Sequence, residues 1–428
     1  AGQAVQGRLA LVRRSPDLTP QQQVDNAAAA GAGAVVIYND NPGDWGADNW
    51  STTATKIPAM TLSGVQGARL AESATRGRAK VELTGTAVSP YSYELLKYRQ
   101  GGIPADQRYR VRANELATVE SSFHASAPGT EAGYSRLMVS PMQTMAYLVF
   151  NRTVLPRTRT EYVTADVKTW EAMQVGTVWE AGQAGQQTAP TVLKAGQRVA
   201  RDWNKAVVRT ALPSGLDNSA YRNGAVAVVY AGGLSDTAPN QWIMSRAFTD
   251  KERTTVYRNG ELLGSAPSAV VAFPVVPERA EYRLVVDAQR DQPWWTTSTK
   301  VNTDWTFRSE EADAGTPLPV LSVDYDLDVD QANSASAKSA TRVGLGLRNP
   351  KGKAGPRITE AKLWTSYDDG TTWHPVKLAA KGDAAFTGTI RNPASAKAGG
   401  FVSLRAQATD ADGNTVLQTV TRAYQLRR

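Results

Sequence analysis

Cysteine is absent from the 428 residues of this sequence. Its absence excludes disulfide bonds, thiolate nucleophiles and zinc sites built from cysteine. An intracellular chain of this length usually carries a few thiols, whereas many bacterial exoproteins avoid them. The composition therefore favours a secreted, extracellular protein.

Histidine is nearly absent as well, because the chain holds only His124 and His374. A serine hydrolase needs a base beside its nucleophile, and neither histidine lies in a recognisable catalytic context. The G-x-S-x-G elbow, the H-E-x-x-H metal motif and the phosphate-binding G-x-x-x-x-G-K-[ST] loop are missing too. We therefore predict surface or structural roles for both histidines and no catalytic triad on this chain, which leaves its own enzymatic status open.

Long hydrophobic runs are also lacking, since none approaches the ~18 residues of a membrane-spanning helix. The formal net charge is +8, but the arginines and lysines are scattered along the chain. Nucleic-acid-binding proteins usually concentrate such charge on one face or helix. These features predict no membrane span and no nucleic-acid partner. The first residues, "AGQAVQGRLALV", lie close to a strand and carry no signal peptide, so we expect a mature or cut product.

Residues 1–89 alternate between strand and helix patterns, which predicts an α/β domain. "GRLALVRR", "AVVIYND", "IPAMTLS" and "AKVELTGT" have the composition of strands. Between the first two, Thr19 and Gln22 form a capping box that opens a helix, with Pro20 at its first position. Ser63 and Gln66 form a second capping box, which predicts a helix after the third strand.

A long loop, residues 40–56, joins the second and third of these strands. It is rich in glycine, aspartate and asparagine and contains two tryptophans. Long loops in compact domains are often functional. We therefore predict substrate contacts for Asp44, Trp45, Asn49 and Trp50.

From residue 90 onwards the helical pattern gives way to alternating β-branched and aromatic runs separated by turn residues. Strands at this spacing are typical of β-sandwiches. The turn-rich seams divide this part into a β-rich domain (90–215), a β-sandwich (216–316) and a C-terminal immunoglobulin-like β-sandwich (317–428). The predicted fold is thus an α/β domain followed by two to three all-β domains of immunoglobulin-like or jelly-roll type.

The segment "VDYDLDVD" places Asp324, Asp326, Asp328 and Asp330 at every second position. On an extended strand all four side chains project to one face. Two interpretations stay open: a site for a hard cation such as Ca²⁺, or an exposed face whose opposite side packs on the core.

The segment "SYDDGTTWHP" fits the pattern S-x-D-x-G-x-T-W that marks hairpin turns in sialidases. A sialidase propeller would repeat the pattern several times, and this chain has one copy. We therefore interpret it as a turn in which Asp368 accepts backbone hydrogen bonds, Gly370 supplies a permissive φ and Trp373 packs over the hairpin.

Residues 7–86 resemble the protease-associated (PA) domain. The matching motifs are "GRLALVRRS", "QQQVDNAAAAGAGAVVIYND" and "IPAMTLSGVQGARLAE", in that order. Ser15 stands where the family usually has glycine. The resemblance implies a non-catalytic domain of the kind found in secreted and vacuolar peptidases, mostly subtilisin-like serine peptidases and zinc aminopeptidases.

The remainder resembles the C-terminal region of large secreted subtilisin-like serine peptidases (family S8) of actinomycetes. The segments that carry this resemblance include "LPVLSVDYDLDVD", "AKLWTSYDDGTTW" and "FVSLRAQATDADGNTV". The family's "G-T-S-M-A-x-P" nucleophile motif is absent, so no catalytic residue is carried over. The resemblance implies two partners, namely an upstream catalytic domain of the same polypeptide and peptide or protein substrates.

The leading hypothesis is therefore a non-catalytic accessory region of a secreted peptidase. In it the PA domain aids substrate docking or gating, and the β-sandwiches stabilise or anchor the enzyme. One alternative is a secreted binding or adhesion module that recognises wall polymer or polysaccharide through Trp45 and Trp50. Another is a processed subunit that regulates its own protease.

Overall fold

The structure is a computed structural model. It describes residues 5–44, 55–77, 79–84, 89–99, 101–142, 146–175, 184–213, 219–236, 241–242, 251–350, 356–394 and 396–428. The chain forms two compact units, residues 1–87 and residues 88–428.

The first unit contains a three-stranded parallel sheet with two helices. Its strands are β1 (Leu9–Arg13), β2 (Ala34–Tyr38) and β3 (Ala59–Leu62), in the order β1-β2-β3, and its helices are α1 (Pro20–Ala29) and α2 (Gly64–Thr75). Val24 of α1 packs against Val35 and Ile37 of β2, and all three are fully buried. The apolar run of β2 is thus the centre of this core, as expected for the middle strand of a parallel sheet.

Both predicted capping boxes are confirmed. The Thr19 Oγ1 accepts a hydrogen bond from the Gln22 N–H at 3.2 Å, and the Ser63 Oγ accepts one from the Gln66 N–H at 3.2 Å. The predicted strand "AKVELTGT" is wrong for residues 79–84, which form no strand and are exposed. Its alternation is real, but no described strand pairs with these residues, and without a partner the pattern cannot form a ladder.

The second unit is built from strands, and its described residues contain no α-helix, only the 3-10 turn Ala113–Glu115. Its first strands are β4 (Tyr91–Glu94), β5 (Leu116–Phe123), β6 (Thr130–Val139), β7 (Ala146–Leu155), β8 (Arg157–Thr164), β9 (Lys168–Val175), β10 (Ala184–Thr188), β11 (Thr191–Val192), β12 (Arg198–Trp203), β13 (Arg209–Ala211), β14 (Ala220–Asn223), β15 (Val226–Tyr230), β16 (Gly232–Ser235) and β17 (Gln241–Trp242). They are followed by β18 (Lys251–Arg258), β19 (Glu261–Ala266), β20 (Val270–Pro274), β21 (Ala280–Gln289), β22 (Lys300–Ser309), β23 (Thr316–Pro317), β24 (Ser322–Leu327), β25 (Ser334–Ser336), β26 (Thr341–Arg348), β27 (Ile358–Ser366), β28 (His374–Val376), β29 (Leu378–Ala380), β30 (Ala385–Ile390), β31 (Phe401–Asp410) and β32 (Thr415–Arg427).

These strands form six described sheets. A four-stranded sheet, β12-β5-β8-β4, packs against a six-stranded sheet, β17-β10-β9-β6-β7 with β11 beside β9. A nine-stranded sheet runs β19-β18-β21-β22-β32-β31-β27-β28 with β25 beside β32, and three smaller sheets are β20-β15-β14-β23, β24-β26-β30-β29 and β13-β16. The predicted β-rich character of this part is confirmed.

The division of the second unit into three domains stays a prediction. Strand pairings cross the predicted seam between residues 316 and 317. Tyr221 of β14 lies opposite Pro317 of β23. In addition, β22 and β32 are antiparallel neighbours, from Lys300 opposite Thr421 to Thr306 opposite Thr415. No helix among the described residues has the length and apolar character needed to cross a bilayer.

Candidate substrate-contact edge of the first unit

The strongest candidate site lies where the parallel strands of the first unit end. Arg14 follows β1 and donates its backbone N–H to the Tyr38 carbonyl at 2.8 Å, and Asn39 follows β2 and donates its backbone N–H to the Leu62 carbonyl at 3.0 Å. The carboxyl ends of parallel strands therefore meet at one edge. In open α/β sheets this is the edge where ligands bind.

Asn39 holds the start of the long loop. Its side chain is buried, with 7% of its surface exposed. Its Nδ2 donates to the Gly43 carbonyl at 3.1 Å and to the Asp44 carbonyl at 3.4 Å. Because one amide group binds two successive carbonyls, residues 39–44 form a closed turn over the end of β2.

Two arginines surround Asp40 at this edge. Arg13 Nη2 donates to the Asp40 carbonyl at 3.1 Å, and Arg14 Nη1 lies 3.6 Å from Asp40 Oδ1. At 3.6 Å, Arg14 and Asp40 form an ion pair, but the two atoms are too far apart for a hydrogen bond. With Asp44 exposed nearby along the chain, the edge offers guanidinium donors and carboxylate acceptors, the groups that hold a peptide backbone or its charged side chains.

The first turn of α2 fixes the other side of this loop. The N–H groups of Gly64 and Val65 donate to the carbonyls of Gly43 and Pro42, both at 3.2 Å. A Cβ atom at position 64 would lie 1.9 Å from the Asn41 carbonyl oxygen. Glycine at this position therefore lets the loop lie directly on the helix.

The predicted contact residues are only partly within the described chain. Asp44 lies at the edge, while Trp45, Asn49 and Trp50 lie outside the described residues, so their contact roles stay predictions. Sequence reasoning missed Asn39 and Asp40 as part of the site. The available signal was their position directly after a buried parallel strand.

His124 has a structural role, as predicted. Its ring is buried, with Nε2 3.1 Å from Asp202 Oδ1 and Nδ1 3.2 Å from the Asp330 carbonyl oxygen. Both ring nitrogens contact aspartate oxygens, so neither faces a serine or threonine hydroxyl. The hydrogen bond from His124 holds the pKa of Asp202 below its usual value, against the raising effect of burial. His374 is exposed on β28.

The aspartate row divides between a strand and a turn. Asp324 and Asp326 lie on β24 with their side chains outward, while Tyr325 and its neighbours are buried on the opposite face, as predicted. The strand ends at Leu327, and the Asp330 Oδ1 accepts the backbone N–H groups of the following turn at 2.9 and 3.0 Å.

Arginines supply positive charge to three members of this row. The pairs are Asp324 with Arg209 and Arg348, Asp326 with Arg342, and Asp330 with Arg427. No group of three or more histidine, cysteine or acidic side chains is arranged for a metal ion within the part of the chain that the structure describes. Calcium binding at the aspartate row stays a prediction. The paired arginines are the alternative to a cation as the source of the positive charge that neutralises these carboxylates.

The hairpin of "SYDDGTTWHP" is a hydrogen-bonded turn, as predicted. Asp368 Oδ1 accepts from the Thr372 backbone N–H at 2.9 Å, and Oδ2 accepts from the Thr372 hydroxyl at 2.6 Å. These bonds, with one from Ser366, lower the pKa of Asp368 to about 2. Gly370 has a φ of +97°, and the Arg405 guanidinium lies 4.1 Å from the centre of the Trp373 ring.

A second group of carboxylates is fully buried between the two first sheets of the second unit. Arg136 on β6 pairs with Glu94, with Glu161 at 2.6 Å and with Glu171 at 2.7 Å. All four side chains are at most 1% exposed. No substrate reaches these groups, so the cluster is structural despite its resemblance to acid–base machinery.

The comparisons with known proteins agree with the fold of the first unit. Residues 1–70 match the model of the PA domain family. Their parallel sheet, two capped helices and long loop after β2 thus belong to a PA domain. A search of the curated proteins found no match to this chain. The predicted resemblance of residues 7–86 to the PA domain is confirmed as far as residue 70. The resemblance of the remainder to subtilisin-like peptidases stays a prediction.

Proposed function

We propose that this chain is a non-catalytic accessory region of a secreted subtilisin-like serine peptidase. The PA domain match over residues 1–70 carries the proposal. The order of a PA domain before a large β-rich unit supports it, as does the engagement of both His124 nitrogens. The catalytic serine, histidine and aspartate then belong to an upstream domain.

In this proposal the edge around Asp40 docks peptide substrates. The guanidinium groups of Arg13 and Arg14 offer donors there, and the loop that continues from Asp44 carries Trp45 and Trp50. Extended peptides present carbonyls, amides and side chains that such a mixed polar and aromatic surface binds. The β-rich unit stabilises or anchors the enzyme.

Peptide binding by designed variants tests the docking role. We expect Trp45→Ala, Trp50→Ala and Asp44→Ala each to weaken binding of an unfolded casein by about threefold to thirtyfold, the range of a lost contact of 0.7–2 kcal/mol. Glu72→Ala removes the same charge from the exposed face of α2 and should leave the Kd unchanged. Equal Kd values for all four variants and the parent chain would contradict docking at this edge.

A further inference from the structure

The outer face of the nine-stranded sheet contains a groove of about 660 Å³. It is lined by side chains of β18, β21, β22 and β32, which are consecutive neighbours in that sheet. Its volume lies within the ~300–1,000 Å³ typical of ligand sites. The groove belongs to the second unit and is separate from the edge described above.

The strand register places the lining groups in two rows on one face. Lys251, Gln289, Lys300 and Thr421 are cross-strand neighbours in one row, and Arg253, Asp287, Asn302 and Thr419 form the next. The residues between them on the other three strands, Ala288, Val301 and Val420, are buried on the opposite face. The pleat of each strand therefore turns both polar rows towards solvent.

Three cations border this groove. Lys251 and Lys300 are two strands apart, about 10 Å, and Arg253 lies about 7 Å further along β18 from Lys251. Within the described residues neither lysine has an ion-pair partner, while Arg253 Nη1 donates to the Ser265 hydroxyl at 3.0 Å. The lysine charges are thus available to an anionic ligand.

The carboxylates that border the groove do not cancel the positive charge of its two lysines and its arginine. The Asp287 Oδ1 accepts a hydrogen bond from Asn302 Nδ2 at 2.7 Å. Glu252 also borders the groove, but it has the strand parity of the buried side and is only partly exposed. The open face therefore carries three cations and one carboxylate.

The remaining groups are suited to hydroxyls. The floor of the groove offers both hydrogen-bond donors and acceptors. They belong to the side chains of Asp287, Gln289, Asn302, Thr419 and Thr421. The lining contains no aromatic ring, and stacking of nucleic-acid bases needs one.

We propose that this groove binds an anionic, hydroxyl-rich polymer. Lys251, Lys300 and Arg253 bind its carboxylate or phosphate groups, while Asn302, Asp287 and Thr419 hydrogen-bond its hydroxyls. Such a polymer is either a uronate polysaccharide or a polyol phosphate, since both combine a regular negative charge with free hydroxyls. Binding here would anchor the β-rich unit independently of substrate docking by the first unit.

Affinity electrophoresis of the full chain tests the groove with three polymers: polygalacturonate, poly(glycerol phosphate) and poly-glutamate. We expect one or both hydroxylated polymers to retard the protein, with an affinity that falls as salt rises. Poly-glutamate offers the charge without hydroxyls and should bind at least about tenfold more weakly, because the amide and threonine contacts are missing. The polymer that binds identifies carboxylate or phosphate as the ligand group.

Matched double variants assign the binding to the groove. Lys251→Ala with Lys300→Ala should weaken binding at least about tenfold, the effect of losing two charge-assisted hydrogen bonds. Lys362→Ala with Lys377→Ala removes the same charge from exposed sites outside the groove and should change the affinity less than about twofold. Asn302→Ala should weaken binding of the hydroxylated polymer and leave poly-glutamate unaffected.

Three results would overturn the proposal. These are no retardation by either hydroxylated polymer at low salt, equal losses in the two double variants, or equal binding of poly-glutamate, which would identify an acidic peptide as the ligand. Thermal unfolding of each variant verifies that it folds, and the four substituted lysines are all exposed.

Discussion

At the residue scale, a single buried arginine, Arg136, is the shared partner of three buried carboxylates between the first two sheets of the second unit. Burial lowers the pKa of Arg136, but the carboxylates of Glu171, Glu94 and Glu161 and the Tyr134 phenol outweigh it and raise that pKa well above its ordinary value. Burial disfavours the charged form of Glu161 as well, and it raises the pKa of that carboxyl although the Arg136 charge opposes the rise. The cluster is stable only as a complete set.

Arg136→Met should therefore destabilise the second unit by about 3–5 kcal/mol, because it leaves three buried carboxylates without their shared cation. Arg342→Met is the control, since it breaks an arginine–aspartate pair whose side chains are 56% and 60% exposed. That change should cost at most ~1 kcal/mol. Urea unfolding followed by tryptophan fluorescence measures both, and similar losses in the two variants would refute the assignment of the cluster as a structural centre.

Asp368 gives a pH-dependent prediction at the same scale. Its pKa is about 2 in the folded hairpin, below the value of about 4 for an unfolded aspartate. A depressed pKa means that its stabilising effect is present above about pH 4 and is lost as the pH falls towards 2. Asp368→Asn should lower the Tm at pH 6, and the difference from the parent chain should disappear near pH 2.

Differential scanning calorimetry across this range tests the prediction. Asp383→Asn, an exposed carboxylate outside the hairpin, serves as control and should show no such convergence. A Tm difference for Asp368→Asn that stays constant from pH 6 to pH 2 would show that the carboxylate charge does not stabilise the turn.

At the element scale, the contact between the loop after β2 and the start of α2 organises the candidate site. The Gly64 Cα lies against the Asn41 carbonyl, and the helix N–H groups bind the loop carbonyls. The backbone, not a flexible side chain, fills the space that a Cβ atom would need. The loop and helix therefore keep their positions only with glycine at 64.

Gly64→Ala should destabilise the first unit by about 1–3 kcal/mol, the usual range for overpacking, and should weaken peptide binding because the loop must move. Gly43→Ala is a matched control within the same loop, where a Cβ atom would meet nothing within 4 Å. Hydrogen exchange of residues 34–44 and peptide titration measure both effects. Unchanged protection and affinity in Gly64→Ala would show that the close approach is unimportant.

The elements that sequence analysis predicted well are those specified locally. Thr19 with Gln22 and Ser63 with Gln66 each define a helix start within four residues, and both are present. The hairpin at Asp368 is equally local. In contrast, residues 79–84 have a strand pattern without a strand, because pairing depends on a distant partner.

The parts of the candidate site that could not be predicted depend on long-range contacts. Arg209 reaches Asp324 from 115 positions away along the chain, so no local pattern identifies it as the partner. Asp40 and Arg14 meet only because β1 and β2 are parallel neighbours. The sequence predicted both strands, but their register emerges only from the folded sheet.

At the scale of the whole molecule, the chain joins a PA domain to a much larger β-rich unit. The pairing of β22 with β32 joins strands from both sides of the predicted seam between residues 316 and 317 into one sheet. Such pairing gives the β-rich unit a shared core that includes Trp305, Leu284 and Val420. Strands on the two sides of this seam therefore share one hydrophobic core.

We have proposed that this chain is part of a peptidase whose active serine lies outside these 428 residues. The most direct measurement labels the native culture supernatant of the source organism with a biotinylated fluorophosphonate, captures the labelled proteins and maps peptides and label sites by mass spectrometry. We expect peptides of this chain to be captured together with a labelled serine that belongs to an upstream catalytic domain, in the same or an associated polypeptide. A label on a serine within residues 1–428, or a chain that is secreted but never captured with a labelled peptidase, would contradict it.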